Sequence, residues 1–453
     1  MRIAIVGTGR VGLVTGVSLA SLDHDVVGVD ANPDTIESLR RGRCSFHEPG
    51  LQDLLDEQMG AGRISFTAEV GDALADAEAV FICVGRPVGA SGDLSLTAVE
   101  SVARDIARHA REGIVVIVKS TVPPGTCDRI DRVIRLERPG FRFHVVSSPE
   151  FLREGHAIED TLGPDRLVIG AADDSASELV RRVYEPIVAG GCRLIRTDRR
   201  TAELAKLASN SFLATKVSFA NAIGRLCELT DADVNGVTEI MGADPRIGAS
   251  FLRAGIGFGG YCLPKDVDSL RRLAERHGYR FDLLTEVARV NGDAVTLACA
   301  KVEEALWNLE GKRVALFGLA FKAETDDVRS APALALARLL LDGGAEVVGY
   351  DPMAEEAARA ALPEMRTSGD PYDAAHGAHC VVICTEWPEF LEIDLDRLRG
   401  SMAYPVMIDG RNLLDPDAVR GAGFAYSGTG RAIGPTEPED LAQLAIVPGA
   451  ARG

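Results

Sequence analysis

Short runs of β-branched and other apolar residues recur along this 453-residue chain, with helical patterns between most of them, and that rhythm restricts the fold more than any single motif. The first runs are Ile3–Val6, Asp25–Asp30, Ala79–Val84, Ile114–Lys119, Phe143–Ser147, Arg166–Gly170 and Leu194–Thr197. Strands that alternate with helices form βαβ units, and these close a mainly parallel sheet. The character changes at Thr201. From Thr201 to Leu229 the chain has good helix formers, no Pro and one Gly, and Asp282 to Leu309 is similar, which predicts an all-helical middle. At Gly311-Lys312 the rhythm restarts, with Arg313–Gly318, Glu346–Tyr350, Cys380–Thr385 and Pro405–Asp409 as strands. The expected fold is α/β: parallel-sheet domains over residues 1–200 and 311–435, joined by an all-helical segment over 201–310. A tail over 436–453, rich in Pro, Gly, Glu and Ala, follows.

The first strand runs into Gly7-Thr8-Gly9-Arg10-Val11-Gly12, which opens a helix, and Asp30 ends the second strand. The three glycines act differently. Gly7 permits the tight turn, Gly9 lets a pyrophosphate reach the backbone, and Gly12 lets the helix pack on the strand. The helix N-terminus then faces the phosphates. Asp30 can accept both ribose hydroxyls and would repel a 2′-phosphate, so the expected cofactor is NAD, not NADP. The first α/β half is read as a dinucleotide-binding Rossmann domain on this basis, and the second shares its strand-helix architecture without being a strict sequence repeat.

Net charge limits the partners. At −18 the chain is a poor match for nucleic acid or an anionic membrane surface. No stretch approaches about 20 apolar residues, and the N-terminus lacks the apolar core and cleavage site of a signal peptide. Nine scattered cysteines do not form a disulfide framework, which points to reduced thiols and a cytoplasmic setting. His376, His379 and Cys380 cluster without a second group at ligand spacing, so no metal is expected.

One cysteine differs from the rest. The loop Gly255-Ile256-Gly257-Phe258-Gly259-Gly260-Tyr261-Cys262-Leu263-Pro264-Lys265-Asp266 presents Cys262 at the mouth of a helix, where unpaired N–H groups favour the thiolate. Asp266, one turn on, opposes that shift unless a cation stands by, and Lys265 or a lysine from elsewhere would serve.

Four further segments accompany that loop: Ser120-Thr121-Val122-Pro123-Pro124-Gly125-Thr126, Ser148-Pro149-Glu150-Phe151-Leu152-Arg153-Glu154-Gly155, Ala202-Glu203-Leu204-Ala205-Lys206-Leu207-Ala208-Ser209-Asn210, and the glycine turn at Gly7. In this order and spacing, from Met1 to roughly Gly430, the sequence resembles the UDP-glucose/GDP-mannose dehydrogenase family. The resemblance implies an NAD-binding Rossmann domain, a central helical dimerisation segment and a C-terminal Rossmann-like domain that holds a sugar nucleotide. It also implies oxidation of the sugar's carbon 6 twice, from alcohol to acid, with two NAD⁺.

The residues suit that chemistry. Oxidising an aldehyde by hydride transfer needs a tetrahedral adduct, and Cys262 can supply one as a thiohemiacetal whose hydride loss leaves a thioester. Lys206 and Asn210, four apart on a helix, share a face and can clamp an oxyanion. By resemblance Glu150 is the base in thioester hydrolysis, Asp266 with Lys206 orients the water, and Thr121 lies near water and nicotinamide. The base of the first oxidation stays open between the two carboxylates.

The resemblance assigns further contacts. To the cofactor it gives Gly7, Gly9, Val11, Gly12, Asp30, Gly85, Arg86, Thr121, Glu154, Lys265 and Arg329. To the sugar nucleotide it gives Phe151, Leu152, Glu154, Lys206, Asn210, Phe251, Gly257, Phe258, Lys322 and Arg411, with Arg246 reaching into a neighbouring subunit's site. Arg86 departs from the family, which usually has Thr there, so its role in NAD binding is open. Gly163-Pro164-Asp165-Arg166 before the Leu167 strand looks like the UDP-glucose branch, with GDP-mannose and UDP-N-acetylmannosamine as alternatives. A catalytically silent nucleotide-sugar binder is the reading from another class. The intact set of Glu150, Lys206, Asn210, Cys262 and Asp266 weighs against it, because a binder needs no thiol beside a lysine and a carboxylate. In the helical middle, Val217, Phe219, Ile223 and Leu226 are expected to pack against a second subunit.

Overall fold

The computed structural model describes residues 1–85 and 95–431. Two compact units make up the chain: Met1–Asn210 with Ser269–Arg280, and Ser211–Asp268 with the chain from Phe281 onward.

The first unit is built on eight strands: β1 (Arg2–Val6), β2 (Asp25–Val29), β3 (Ile64–Thr67), β4 (Ala79–Ile82), β5 (Ile114–Val118), β6 (Phe143–Ser147), β7 (Arg166–Gly170) and β8 (Arg193–Thr197). Their order is β3-β2-β1-β4-β5-β6-β7-β8. Every neighbouring pair is parallel except β6 and β7, which meet antiparallel at Ser147 and Gly170. A central parallel strand is covered on both faces, so its residues are apolar without alternation, and all five of Ile114–Val118 are buried. Ile3 and Ile5 join the core on one face of the sheet, Ala4 and Val6 that on the other. Each of the Ile and Val side chains contributes roughly 1.5–3 kcal/mol by leaving water.

The second unit repeats the plan on six strands: β9 (Arg313–Phe317), β10 (Glu346–Tyr350), β11 (Arg366–Thr367), β12 (Cys380–Ile383), β13 (Val406–Asp409) and β14 (Ala425–Gly428). All pairs are parallel, in the order β11-β10-β9-β12-β13-β14. Val314 and Leu316 face one core, Ala315 and Phe317 the other.

Between β8 and β9 lie only helices among the described residues: Arg199–Thr230, Val234–Gly242, Cys262–Arg276 and Asp282–Leu306. The last stops short of the expected Leu309 because Trp307 takes a left-handed conformation, φ 67°, and breaks the ladder. Several strands also end earlier than the apolar runs suggest. Asp30, Val84, Lys119, Gly318 and Thr385 lie just past them, at the carboxyl ends where an open parallel sheet carries its ligand sites. No helix among the described residues is long and apolar enough to cross a membrane.

Candidate active site

The turn after β1 is shaped for close approach. Gly7 has φ 95°, and a Cβ there would come within 2.8 Å of the Cys83 backbone. A Cβ on Gly12 would meet the Gly7 carbonyl at 1.8 Å, so no side chain fits between helix and strand. At Gly9, in contrast, a Cβ would meet nothing within 4 Å. The helix Arg10–Ser21 starts there with no side-chain cap and no acidic residue in its first turn, which leaves its N-terminal dipole to an anion. Asp30 is fixed beside this cradle: Oδ2 accepts from Thr8 N–H at 2.9 Å and Thr8 Oγ at 3.1 Å, and Oδ1 from Asn32 N–H at 3.0 Å. These residues fit a dinucleotide, with space for a pyrophosphate over Gly9 and a carboxylate for the ribose. Arg10 and Glu154 form an ion pair at 3.8 Å. Val11 packs on the core, Thr121 is buried, Gly85 is exposed, and Arg86 lies outside the described residues.

A charged cluster is buried in the same unit. Lys206, only 3% exposed, places Nζ 3.1 Å from Glu150 Oε1 and donates to Asn210 Oδ1 at 3.4 Å. The four-residue spacing on the helix Arg199–Thr230 brings Lys206 and Asn210 to one face. Glu150 Oε2 accepts from the Leu152 N–H at 2.9 Å, which sets the carboxylate's orientation. Phe151 lies between two cations, its ring centroid 4.0 Å from the Arg166 guanidinium and 5.2 Å from Lys206 Nζ. A buried ion pair of this kind is weak evidence for stability, but removing one partner leaves a costly lone charge.

Glu203 ties the same helix to the Thr121 segment. Its carboxylate accepts from Gly125 N–H at 2.6 Å and Cys127 N–H at 2.7 Å, at the start of the helix Thr126–Glu137. Glu203 thereby caps a helix from a distance.

In the second unit, the glycine loop is held along its length. Gly255 N–H donates to Asn221 Oδ1 at 2.8 Å, Ile256 N–H to the Gly410 carbonyl at 3.0 Å, and Arg411 Nη1 to the Gly257 carbonyl at 2.9 Å. Asn291 both accepts from and donates to the backbone of Phe258. Gly257, at φ 103°, and Gly260, at φ 79°, adopt conformations closed to most residues, and a Cβ on Gly259 would strike the Ser330 carbonyl. Cys262 begins the helix Cys262–Arg276 and is half-buried. The cation beside Asp266 is its neighbour: Lys265 Nζ donates to the Asp266 carboxylate, and both are buried. Lys265 and Arg329 flank the Tyr261 ring at 5.3 and 4.4 Å, while Arg329 also grips Asp327.

The remaining assigned residues are dispersed. Phe251 takes a left-handed backbone, φ 64°, unusual for a bulky side chain and typical of ligand clamps. Arg246 is exposed and pairs with Asp244, and Lys322 is half-buried. Other thiols are poor nucleophiles: burial pushes Cys83 and Cys384 up to about 12 and Cys44 to about 11. His379 Nδ1 accepts from the Arg313 N–H and Cys380 is enclosed by the sheet, so both serve the fold. The sequence alone does not single out Arg166 as a partner of Phe151, nor Glu203, Asn221 or Asn291. The one available signal is Asn291-Gly292, two poor helix formers in mid-helix.

Three successive stretches of the chain match the UDP-glucose/GDP-mannose dehydrogenase family: its NAD binding domain over residues 1–188, its central domain over 200–293 and its UDP binding domain over 315–416. The chain belongs to that family. Its cofactor is NAD, and it is an NAD-dependent nucleotide-sugar dehydrogenase. The UDP-glucose 6-dehydrogenase of Pseudomonas aeruginosa is 42% identical over 444 residues, 95% of this chain and 98% of that protein. Among solved structures, a UDP-glucose dehydrogenase from Pyrobaculum islandicum has a TM-score of 0.88 at 41% identity, covering 95% of this chain and 98% of its own. A UDP-D-ManNAc dehydrogenase from Pyrococcus horikoshii has a TM-score of 0.85 at 30% identity, covering 96% of this chain and 100% of its own.

Proposed function

We propose that the protein is a UDP-glucose 6-dehydrogenase, which oxidises UDP-glucose to UDP-glucuronate in two steps. One observation carries the choice of sugar nucleotide: identity is 41% to the solved UDP-glucose enzyme and 30% to the solved UDP-D-ManNAc enzyme, at nearly equal coverage. Gly7, Gly9, Gly12 and the first turn of Arg10–Ser21 hold the NAD pyrophosphate, and Asp30 holds the ribose. NAD⁺ bound there supplies the hydride acceptor for each oxidation.

The chain's own groups do the rest. Lys206 and Asn210 stabilise the alkoxide and the tetrahedral states, since a cation and an amide donor act most strongly where water is excluded. Cys262 attacks the C6 aldehyde to give a thiohemiacetal, and loss of hydride leaves a thioester. Glu150 takes a proton from the water that hydrolyses the thioester, and Asp266 orients that water. Thr121, buried in the first unit, would act near the nicotinamide and that water. Gly85, Val11, Glu154, Lys265 and Arg329 line the cofactor, and Phe151, Leu152, Phe251, Gly257, Phe258, Lys322 and Arg411 line the sugar nucleotide. Residues 1–200, 201–310 and 311–435 serve as NAD-binding, dimerisation and UDP-sugar domains. The tail expected over 436–453 lies outside the described residues. The nine free cysteines suit a cytoplasmic enzyme.

The substrate assignment is tested by comparing nucleotide sugars. A site built for uracil leaves polar groups unpaired against guanine, so kcat/KM for UDP-glucose is expected to exceed that for GDP-mannose by at least about a hundredfold. GDP-mannose or UDP-N-acetylmannosamine as the better substrate would overturn the assignment.

Asp30 sets cofactor choice. Charge-assisted hydrogen bonds contribute roughly 1.5–3 kcal/mol each, so NAD is expected to be used more than about tenfold better than NADP. Asp30→Ala narrows that gap by weakening NAD; equal efficiency of the wild type with both cofactors would refute the role.

The assembly proposed is a homodimer or larger. Phe212, Phe219 and Leu226 recur every seven residues on the helix Arg199–Thr230 and, with Leu229, are half to two-thirds exposed. Such a stripe suits a helix of a second copy. Ile223 is spent within the chain, against Cys227, Val234 and Ala254. Arg246 is proposed to reach the neighbouring site. Sedimentation is expected to give a dimer or larger, shifted toward monomer by Phe219→Asp; an active wild-type monomer at assay concentration would contradict this.

A further inference from the structure

We infer that Asn291 is a positioning residue for the Cys262 loop. Its carboxamide forms a closed pair of hydrogen bonds with one residue of that loop: the Phe258 N–H donates to Oδ1 at 2.7 Å and Nδ2 donates to the Phe258 carbonyl at 3.0 Å. A side-chain amide here does what a neighbouring β-strand would do, satisfying both backbone groups of a segment that has no strand partner. The anchor is rigid, because Asn291 lies in the middle of the 25-residue helix Asp282–Leu306.

Two features show that the position is held for this role. Asn and Gly are both poor in a helix interior, yet Asn291-Gly292 occupies one, a local cost that a packing role would not require. The loop also runs close against this residue: a Cβ on Gly257, where φ is 103°, would lie 3.0 Å from Asn291 Oδ1 and 3.1 Å from the Asn291 carbonyl. Between Phe258 and Cys262 the chain has Gly259, packed on the Ser330 carbonyl, Gly260, packed on the Phe321 ring, and Tyr261, whose ring lies against Lys265 and Arg329. With Gly255 and Gly257 held by Asn221 and Arg411, the Asn291 clamp is the last side-chain tether before those glycines. It fixes where the helix Cys262–Arg276 starts, and so where the thiol stands. The inference rests on the reading of Cys262 as nucleophile.

The test uses the full-length Asn291→Ala and Asn291→Asp variants. Alanine removes both bonds; aspartate keeps the acceptor for the Phe258 N–H and sets a negative charge against the carbonyl. Small displacements of a reacting group are costly, so each variant is expected to lose at least about tenfold in kcat while KM for NAD stays within about twofold. The rate at which iodoacetamide alkylates Cys262, read by mass of the Cys262 peptide, is expected to change at least about threefold in both. A purely structural role would lower the melting temperature and leave the alkylation rate of the folded protein unchanged. Unchanged alkylation and kcat within about twofold of wild type, in whichever variant folds, would overturn the inference. If alkylation changes while Cys262→Ala still forms acid, the clamp stands and the nucleophile assignment falls.

Discussion

Lys206→Ala is expected to lower kcat by roughly a hundredfold to a thousandfold, the usual cost of removing a donor aimed at a developing oxyanion. The lysine is the only cation within 4 Å of Glu150 among the described residues, so its loss removes two things at once. Charge stabilisation of the alkoxide disappears, and a carboxylate is left in a buried site with no cation. An uncompensated buried charge costs about 3–5 kcal/mol. NAD affinity, measured by calorimetry, is expected to change little, because the glycine cradle and Asp30 are untouched. Activity of Lys206→Ala within about tenfold of wild type would remove the residue from the mechanism.

Cys262→Ala is expected to abolish acid formation. Without the thiol the C6 aldehyde has no covalent route to a thioester, and the second hydride transfer loses its tetrahedral donor. The first oxidation needs no nucleophile. Single-turnover experiments with excess enzyme are therefore expected to show NADH from the alcohol step, with aldehyde retained and no UDP-glucuronate. The other eight thiols are all held above their usual range by burial, Cys83 and Cys384 up to about 12. Acid formed by the variant at the wild-type rate would contradict the covalent route.

Much of this is legible in the sequence, and the omissions have a common cause. Strands in the middle of a parallel sheet are buried on both faces and read as unbroken apolar runs, as Ile114–Val118 does. The strands without a clear sequence signal, β3, β11 and β14, all lie at sheet edges. An edge strand is half-covered, and its residues carry weaker signals: Ala425–Gly428 is Ala, Tyr, Ser and Gly, and Arg366–Thr367 is two residues long. The glycine turn is legible because its backbone excludes side chains wherever it occurs. Lys206 and Asn210 are legible because a helix turns four residues into neighbours. Partnerships across longer separations carry no local pattern. Glu203 reaches Gly125 across 78 positions and Asn291 reaches Phe258 across 33, and neither distance is marked by periodicity.

If one chain carries its substrate from alcohol to acid through Cys262, the most direct measurement is the yield of NADH per UDP-glucose consumed by the wild-type enzyme, with the sugar product identified by mass. Two NADH per UDP-glucuronate with no free aldehyde is the expected result, because a thiohemiacetal and a thioester keep the sugar covalently held between the two hydride transfers. One NADH per sugar with the aldehyde accumulating in solution would contradict it.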